Sequence, residues 1–290
     1  MSTLSLKAKR LAKSTALGLA LATHSNLSPS LTRRVLTVAR VGYDPPRHLV
    51  TYPGGATSSC CISIDFDATV PERELPNRQG TESLVALGER YRIPMTWAIC
   101  GRTAENDRRA YDMIASAPVR HEIGVHTYSH IDVSKCSEAE LEQEIEKCIE
   151  VLALSERPKT FIFPWNRTGH FDAVKKLGFI AYRAKERTIG YPRKANGLWN
   201  IAPVFYLDKN ALGAAGLIRR TIDFCIDSGS VFHLWLHPWS VVDPSPDEYS
   251  RQVLEPTFSY MEKKRSEGKL SVLTMRSLAE WLETMPGDGA

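Results

Sequence analysis

From residue 60 onward, short apolar runs alternate with amphipathic stretches. "CCISIDF" is apolar almost throughout, as expected of a strand covered on both faces. "TESLVALGERY" spaces its apolar residues as a helix does, with Thr81 as the expected N-cap. "IPMTWAIC" reads as the next strand, "ENDRRAYDMIASA" as a helix and "EIGVH" as a strand. Ser137 and Glu140 form a capping-box pair at the head of the helix "SEAELEQEIEKCIEVLAL". The strand "KTFIFPW", the helix "HFDAVKKLG" ending at Gly178, and the strand "FIAYRA" follow. "ALGAAGLIRRTIDFCIDSG" is a helix ending at Gly229, and "SVFHLWLH" a strand. A helix near residues 247–267, the strand "LSVLT" and the helix "MRSLAEWLETM" close the pattern.

Strands alternating with helices imply a parallel sheet. Roughly seven βα units favour a barrel over an open sheet. The expected fold is therefore α/β: a distorted (β/α) barrel of seven or eight parallel strands over residues 58–285. Residues 1–57 read as a basic N-terminal helical arm and linker, punctuated by "LSPSLT", "YDPPRH" and "YPGG".

The 290 residues suffice for one large domain and an appendage, and 43% hydrophobic with 24% charged residues is ordinary for a globular chain. The net charge of +4 is unevenly spread: residues 1–50 hold eight Lys or Arg against one acid, Asp44, leaving −3 for the remainder. Such an arm suits an anionic membrane surface or an acidic partner, and equally a solvated helix packed on the barrel. No aromatic residues interleave with the basic ones, so no nucleic-acid partner is expected. No stretch approaches the roughly 18 apolar residues that span a membrane. "KAKRLAKSTALGLALATHS" imitates a secretion signal but lacks a clean small-residue cleavage site. The expectation is a cytoplasmic protein rather than a secreted one, with peripheral membrane contact through the arm left open beside the packed-helix reading. The six cysteines include an adjacent pair and no CxxC, which fits reduced, mostly buried thiols and argues against a cysteine zinc site.

Candidate chemistry changes this picture most. "HEIGVHTYSH" carries three of the chain's eight histidines, and His126 and His130 stand four apart. In a helix or a tight turn, both rings can face one point. A third, negative ligand would complete a divalent-metal site. Chemistry in α/β barrels gathers at the C-terminal ends of strands. There the first apolar run continues into "DFDAT", whose Asp65 and Asp67 share one face of an extended strand. Two such carboxylates repel each other unless a cation or a proton lies between them. One of them with His126 and His130 makes a two-histidine, one-carboxylate site with positions open to water. A third imidazole, His237, ends the strand "SVFHLWLH" and could donate a proton to a leaving group. Taken singly, an Asp-x-Asp is most often a turn or a cap, and a His-x3-His a packed or surface pair. Their joint occurrence at strand ends points to metal-assisted hydrolysis.

These residues carry a resemblance. "HEIGVHTYSH", "SIDFDAT" and "LWLHPW" resemble motifs of the polysaccharide deacetylases, the NodB-homology domains of carbohydrate esterase family four, over residues 58–283. The resemblance implies Asp65 as general base, Asp67, His126 and His130 as metal ligands, and His237 as catalytic acid. It implies a divalent metal, zinc by default, with cobalt, nickel or iron compatible with the same ligands. The implied reaction removes an N-acetyl, or less commonly O-acetyl, group from a saccharide. Metal-activated water attacks, Asp65 takes its proton and His237 protonates the departing amine. The third motif departs from the family's Arg-x-Pro-x-Gly. "FIFPWN" has Ile162 where the arginine would stand and Asn166 in place of the glycine. That arginine orients the base, so Arg167 and Arg183 become candidate substitutes. Pro164 and the Trp165 backbone N–H remain available as an oxyanion donor, and Pro238 replaces the more usual Asp.

Trp97, Trp165, Trp235 and Trp239 lie near strand ends, where they can stack on sugar or pack in the core. His121 starts its strand and reads as structural. His233 either lines the site or packs, and His170 opens a helix within possible reach of substrate. Two rival functions remain: a hydrolase of another non-peptide C–N bond in a small or cyclic amide, and a non-catalytic glycan-binding protein on the same fold.

Overall fold

The computed structural model describes residues 42–68, 70–184, 188–212, 214–243 and 245–285. Most of the expected helical arm therefore lies outside the described residues. Among those residues twelve strands share one sheet: β1 (Gly42–Asp44), β2 (Ser58–Phe66), β3 (Thr96–Ile99), β4 (Glu122–Val125), β5 (Thr160–Ile162), β6 (Ala181–Arg183), β7 (Thr188–Gly190), β8 (Arg193–Ala195), β9 (Leu198–Asn200), β10 (Phe205–Leu207), β11 (Val231–Leu236) and β12 (Leu270–Val272). Parallel ladders join β10–β11–β2–β3–β4–β5–β6–β9. That run of eight parallel strands is the distorted barrel the patterning predicts, curled but open, since among the described residues no ladder joins β9 to β10. Strand β8 adds antiparallel to β9, and β1 pairs with β7 at the other edge.

Strand β2 is the centre of this sheet because all nine of its residues are buried. Its first half pairs with β12, its second half with β3, and β11 flanks it along most of its length. Nine helices are described: α1 (Glu74–Tyr91), α2 (Gly101–Asn106), α3 (Arg108–Ala115), α4 (Glu138–Leu152), α5 (Phe171–Lys176), α6 (Ala215–Ser228), α7 (Pro246–Tyr249), α8 (Glu255–Ser266) and α9 (Met275–Thr284). One core cluster joins the sheet to the helices around it through residues such as Ile62, Leu84, Ile145, Ile222 and Phe258. A second contains Cys61, Ala98, Ile162 and Ala181 from the strands and is closed by Met275, Leu278 and Leu282 of α9. The buried Glu122 carboxylate fixes α9 there, accepting from the Arg276 N–H and the Thr96 hydroxyl, both at 2.8 Å.

The structure corrects the expected helix boundaries. Helix α1 starts seven residues before Thr81, which is not an N-cap: its hydroxyl bonds back to the Asn77 carbonyl at 2.8 Å, within the helix. The single helix expected over "ENDRRAYDMIASA" is two, because Asp107 leaves the helical region and caps α3 by accepting from Ala110 N–H. The helix near 247–267 contains a π-turn, Ser250–Leu254, between α7 and α8. The capping box at Ser137 and Glu140 is present with both hydrogen bonds. The part of the expected linker that is described packs on the barrel: Tyr52 is buried and donates its hydroxyl proton to the Gly229 carbonyl at 2.9 Å. All six cysteines are free, and five are buried.

Two histidines away from the strand tips tie stability to pH. Burial pulls His121 from 6.5 down to about 4 and His233 from 6.5 to about 3. The unfolded chain protonates both near pH 6.5, whereas the folded chain resists until well below that. Their neutral forms thus stabilise the fold above about pH 6.5, and this contribution is lost as pH falls. The urea midpoint should drop from pH 7 to pH 4.5, each group contributing up to about 1.4 kcal/mol per pH unit. A midpoint constant over that range would contradict this account.

Candidate active site

Strand β4 delivers its chain into a tight turn, residues 126–130, rather than a helix. Thr127 and His130 adopt left-handed φ angles of 58° and 61°, rare for a β-branched residue such as Thr127. The surroundings enforce this shape. Gly101 N–H donates to the Thr127 carbonyl at 3.1 Å and Arg102 N–H to the Tyr128 carbonyl at 2.8 Å. Glu144 of α4 accepts from the Ser129 N–H and hydroxyl, each at 2.7 Å. Gly101 is required here, because a Cβ would lie 2.8 Å from the Tyr128 ring. The turn brings the His126 and His130 rings to 4.8 Å between centroids. His126 Nδ1 sits 2.7 Å from the Ile162 carbonyl and donates to it, which leaves Nε2 as the bare nitrogen. Burial brings His126 down to about 4, so its ring is neutral at pH 7, as a metal ligand must be.

The aspartates come from the end of β2. Asp67 Oδ2 is 3.3 Å from His130 Nε2. One donor atom from each of Asp67, His126 and His130 lies within 4.8 Å of the others, and all three residues are buried. This donor set, two neutral imidazoles and a carboxylate, fits a divalent cation such as zinc.

Asp65 is arranged differently. Its Oδ2 accepts from Arg183 Nη2 at 2.5 Å and from Trp235 Nε1 at 2.9 Å, while Oδ1 is buried with no hydrogen-bond partner. Burial by itself would raise this carboxyl, but Arg183 and then the His126 and His237 imidazoles outweigh it and hold it below the usual carboxylate range.

Arg183, 0% exposed, is thus the partner the sequence leaves open between two candidates. It stands on β6 directly beside Ile162 of β5, its register partner. A guanidinium is present at the expected level of the barrel, one strand over. Its Nη1 donates to Ser63 Oγ at 2.8 Å, and the Ser63 hydroxyl lies 2.8 Å from His233 Nε2. His233 Nδ1 is satisfied by the Ile201 carbonyl at 2.9 Å, so His233 packs behind the site and supports Ser63. Arg167 is engaged with Asp132 instead.

His237 closes the group from the end of β11. Its Nε2 is 3.8 Å from Asp65 Oδ2 and 3.5 Å from Asp67 Oδ2, and Tyr206 Oη lies 3.2 Å from its Nδ1. The following turn, Pro238–Ser240, is pressed against α1. A Cβ on Gly80 would fall 2.0 Å from the Pro238 carbonyl oxygen, so only glycine allows this approach. Trp239 of that turn donates its Nε1–H to Asp67 Oδ1 at 3.1 Å.

The remaining candidates divide. Trp165 is 60% exposed, its ring edge-on to His130 at 4.7 Å, and it shares a left-handed backbone with Asn166. Pro164 is buried beneath it, and Asn166 Oδ1 has no partner. Trp235 lies between the Arg183 guanidinium, 4.3 Å from its centroid, and the Tyr206 ring at 4.4 Å. Trp97 is fully buried core and does not face substrate. His170 bonds the Cys136 carbonyl at 2.8 Å, and His121 accepts from Met95 N–H at the opposite end of β4. Sequence reasoning missed Tyr206 and Gly80, which follow no motif and matter only through the register of β10 on β11 and the packing of α1.

Residues 54–179 match the family model described as polysaccharide deacetylase. Over that stretch the chain is similar to the polysaccharide deacetylase family. The matched residues include Asp65, Asp67, His126, His130 and the Pro164–Asn166 turn, whereas Arg183, Tyr206 and His237 lie beyond them. Among curated proteins none matches. The fold is similar to a structure assigned as a polysaccharide deacetylase from Mycobacterium smegmatis, with TM-score 0.68, 18% identity, and 83% of this chain and 95% of that one covered. A second, from Pseudomonas aeruginosa PAO1, gives TM-score 0.62 and 18% identity over 83% of this chain and 99% of that one. The allantoinase PuuE gives TM-score 0.59 and 17% identity over 84% of this chain and 99% of that one. At these identities the likeness concerns the deacetylase-type barrel itself.

The Arg183–Asp65 pair yields a direct test. Arg183→Met strands a buried carboxylate and should cost about 3–5 kcal/mol in urea unfolding. Moving the arginine back across the ladder, as Ile162→Arg with Arg183→Ile, should recover part of that loss. Equal stability of wild type and Arg183→Met would show that the pair is not holding Asp65.

Proposed function

We propose that this deacetylase-like barrel is a metal-dependent hydrolase that removes N-acetyl groups from a saccharide. One observation carries the reading. A buried, ionised carboxylate with one bare oxygen, Asp65 Oδ1, stands two residues from a compact Asp67–His126–His130 triad. Asp67, His126 through Nε2 and His130 would hold the cation. When bound, a divalent metal supplies Lewis-acid activation of water and of the acyl carbonyl.

The chain's own residues do the rest. Asp65 has its Oδ2 committed to Arg183 and Trp235, which keeps it ionised and fixes its plane. Oδ1 is therefore the atom that takes a proton from the attacking water. His237 presents Nε2 to the same space and, as acid, protonates the departing amine. Without that proton the amine anion would be a very poor leaving group. Tyr206 at Nδ1 holds the imidazole in place. The Trp165 N–H serves as oxyanion donor in this reading, supported by the contact of its ring with His130. The exposed Trp165 indole, next to the ligands, offers a face on which a sugar ring can stack.

A second reading has a specific observation in its favour. The barrel is similar to that of PuuE, an allantoinase, at TM-score 0.59, and Ile162 and Asn166 depart from the family's third motif. On that reading the same groups cleave a C–N bond in a small cyclic amide. A glycan-binding protein without turnover is the weaker option, because base, triad and acid all converge.

The test is acetate release from N-acetylated saccharides, run beside allantoin and other small cyclic amides, with and without a chelator. Acetate should be released from the saccharides and abolished by chelation. His237→Ala should lose turnover but keep metal, whereas His126→Ala should lose both. Hydrolysis of the cyclic amides alone would favour the second reading, and chelator-insensitive acetate release would end the metal-dependent one.

A further inference from the structure

The segment "WLHPW" places an indole on either side of His237, and each indole binds a different aspartate. Trp235 Nε1 donates to Asp65 Oδ2 at 2.9 Å, and Trp239 Nε1 donates to Asp67 Oδ1 at 3.1 Å. His237 stands between them, near the Oδ2 atoms of both acids. We infer that these two tryptophans are positioning residues that divide the labour of the two aspartates: Trp239 prepares Asp67 to grip a cation, and Trp235 prepares Asp65 to accept a proton. The inference rests on the metal-dependent reading above.

The physical reason lies in the carboxylate torsion. The terminal torsion of an Asp is broad and roughly twofold, so an unrestrained carboxylate wanders between orientations. A hydrogen bond onto one oxygen selects the orientation of the other. At Asp67 the Trp239 bond occupies Oδ1 and turns Oδ2 toward His130, 3.3 Å away. At Asp65 the Trp235 bond joins Arg183 on Oδ2 and leaves Oδ1 bare. An indole N–H suits both tasks, because it donates one hydrogen bond and has no lone pair with which to compete for the cation.

Both indoles are themselves held. The Arg73 guanidinium covers the Trp239 ring at 4.0 Å, and the turn carrying Trp239 is pressed on Gly80 of α1. Trp235 is sandwiched between Arg183 and Tyr206. Their N–H vectors are therefore set by packing before any ligand arrives. Outer partners of this kind are worth about 10–100-fold in metal affinity where they have been removed from metal sites.

The experiment uses Zn2+ alone, titrated into the full chain against a chromophoric chelator, together with acetate release at increasing Zn2+. Trp239→Phe keeps an aromatic ring under Arg73 and removes only the donor. It should weaken Zn2+ binding by about 10–100-fold, with an activity deficit that added Zn2+ relieves. Trp235→Phe should leave Zn2+ affinity unchanged and lower kcat by about tenfold or more, a deficit that added Zn2+ does not relieve. Arg73→Ala, which frees the indole without touching the acid, should weaken Zn2+ binding in the same direction but less. Wild-type affinity in both Trp239→Phe and Arg73→Ala would overturn the inference, as would equal loss of Zn2+ binding in both tryptophan variants. Failure of the underlying reading looks different: the wild-type chain would then bind Zn2+ no more tightly than His126→Ala.

Discussion

A guanidinium with no exposed surface, Arg183, holds one oxygen of a carboxylate that is also buried, Asp65, and the rest of the site depends on that pair. Asp65 and Asp67 emerge two residues apart from one strand end, with little water to screen them. Two such carboxylates cannot both stay ionised unless each is offset by positive charge or by hydrogen bonds. Arg183 provides the offset for Asp65. Asp67 accepts from Trp239 and lies against the His237 and His130 imidazoles, which outweigh its burial and hold it well below the usual carboxylate range. Two chemically identical side chains thereby acquire different partners, and different work becomes available to each.

The barrel makes this possible by letting five segments converge without any one of them being long. Strand β2 supplies the aspartates, β4 the histidine turn, β6 the arginine, β10 the tyrosine and β11 His237 with its two indoles. Register fixes them relative to one another: β6 lies beside β5 so that Arg183 is level with Ile162, and β11 lies beside β10 so that Tyr206 is level with Trp235. Close backbone approaches complete the frame. Gly101 admits the Tyr128 ring under the histidine turn, and Gly80 admits the Pro238 carbonyl beside His237. At the far end of the strands α9 seals the interior, so the polar groups gather at one mouth.

Long elements with a strong period are legible in the amino-acid sequence. The buried run of β2, the capping box of α4 and the alternation of strands with helices point to the barrel, because each follows from local patterning. The four strands between Thr188 and Leu207 are not legible there. At three residues each, they carry too few positions for a period and exist only because neighbouring strands pair with them. Thr81 misleads for a related reason, since a hydroxyl that caps a helix and one that bonds back within a helix look alike in sequence. At the site, Asp65, Asp67, His126, His130 and His237 are readable from spacing at strand ends. The choice between Arg167 and Arg183 is not, because it depends on which strand lies beside β5. The tryptophans read as aromatic faces along the chain, yet it is the N–H groups of Trp235 and Trp239 that meet the carboxylates.

The division between the two aspartates is the central claim, and locating the cation tests it most directly. A crystal of the chain grown with Zn2+ and measured at the zinc absorption edge should give one anomalous peak, bonded to Asp67, His126 and His130 at about 2.0–2.2 Å. Asp65 should remain outside that coordination and in contact with Arg183. A peak bonded to Asp65, or none at the histidine turn while zinc binds elsewhere, would contradict the account.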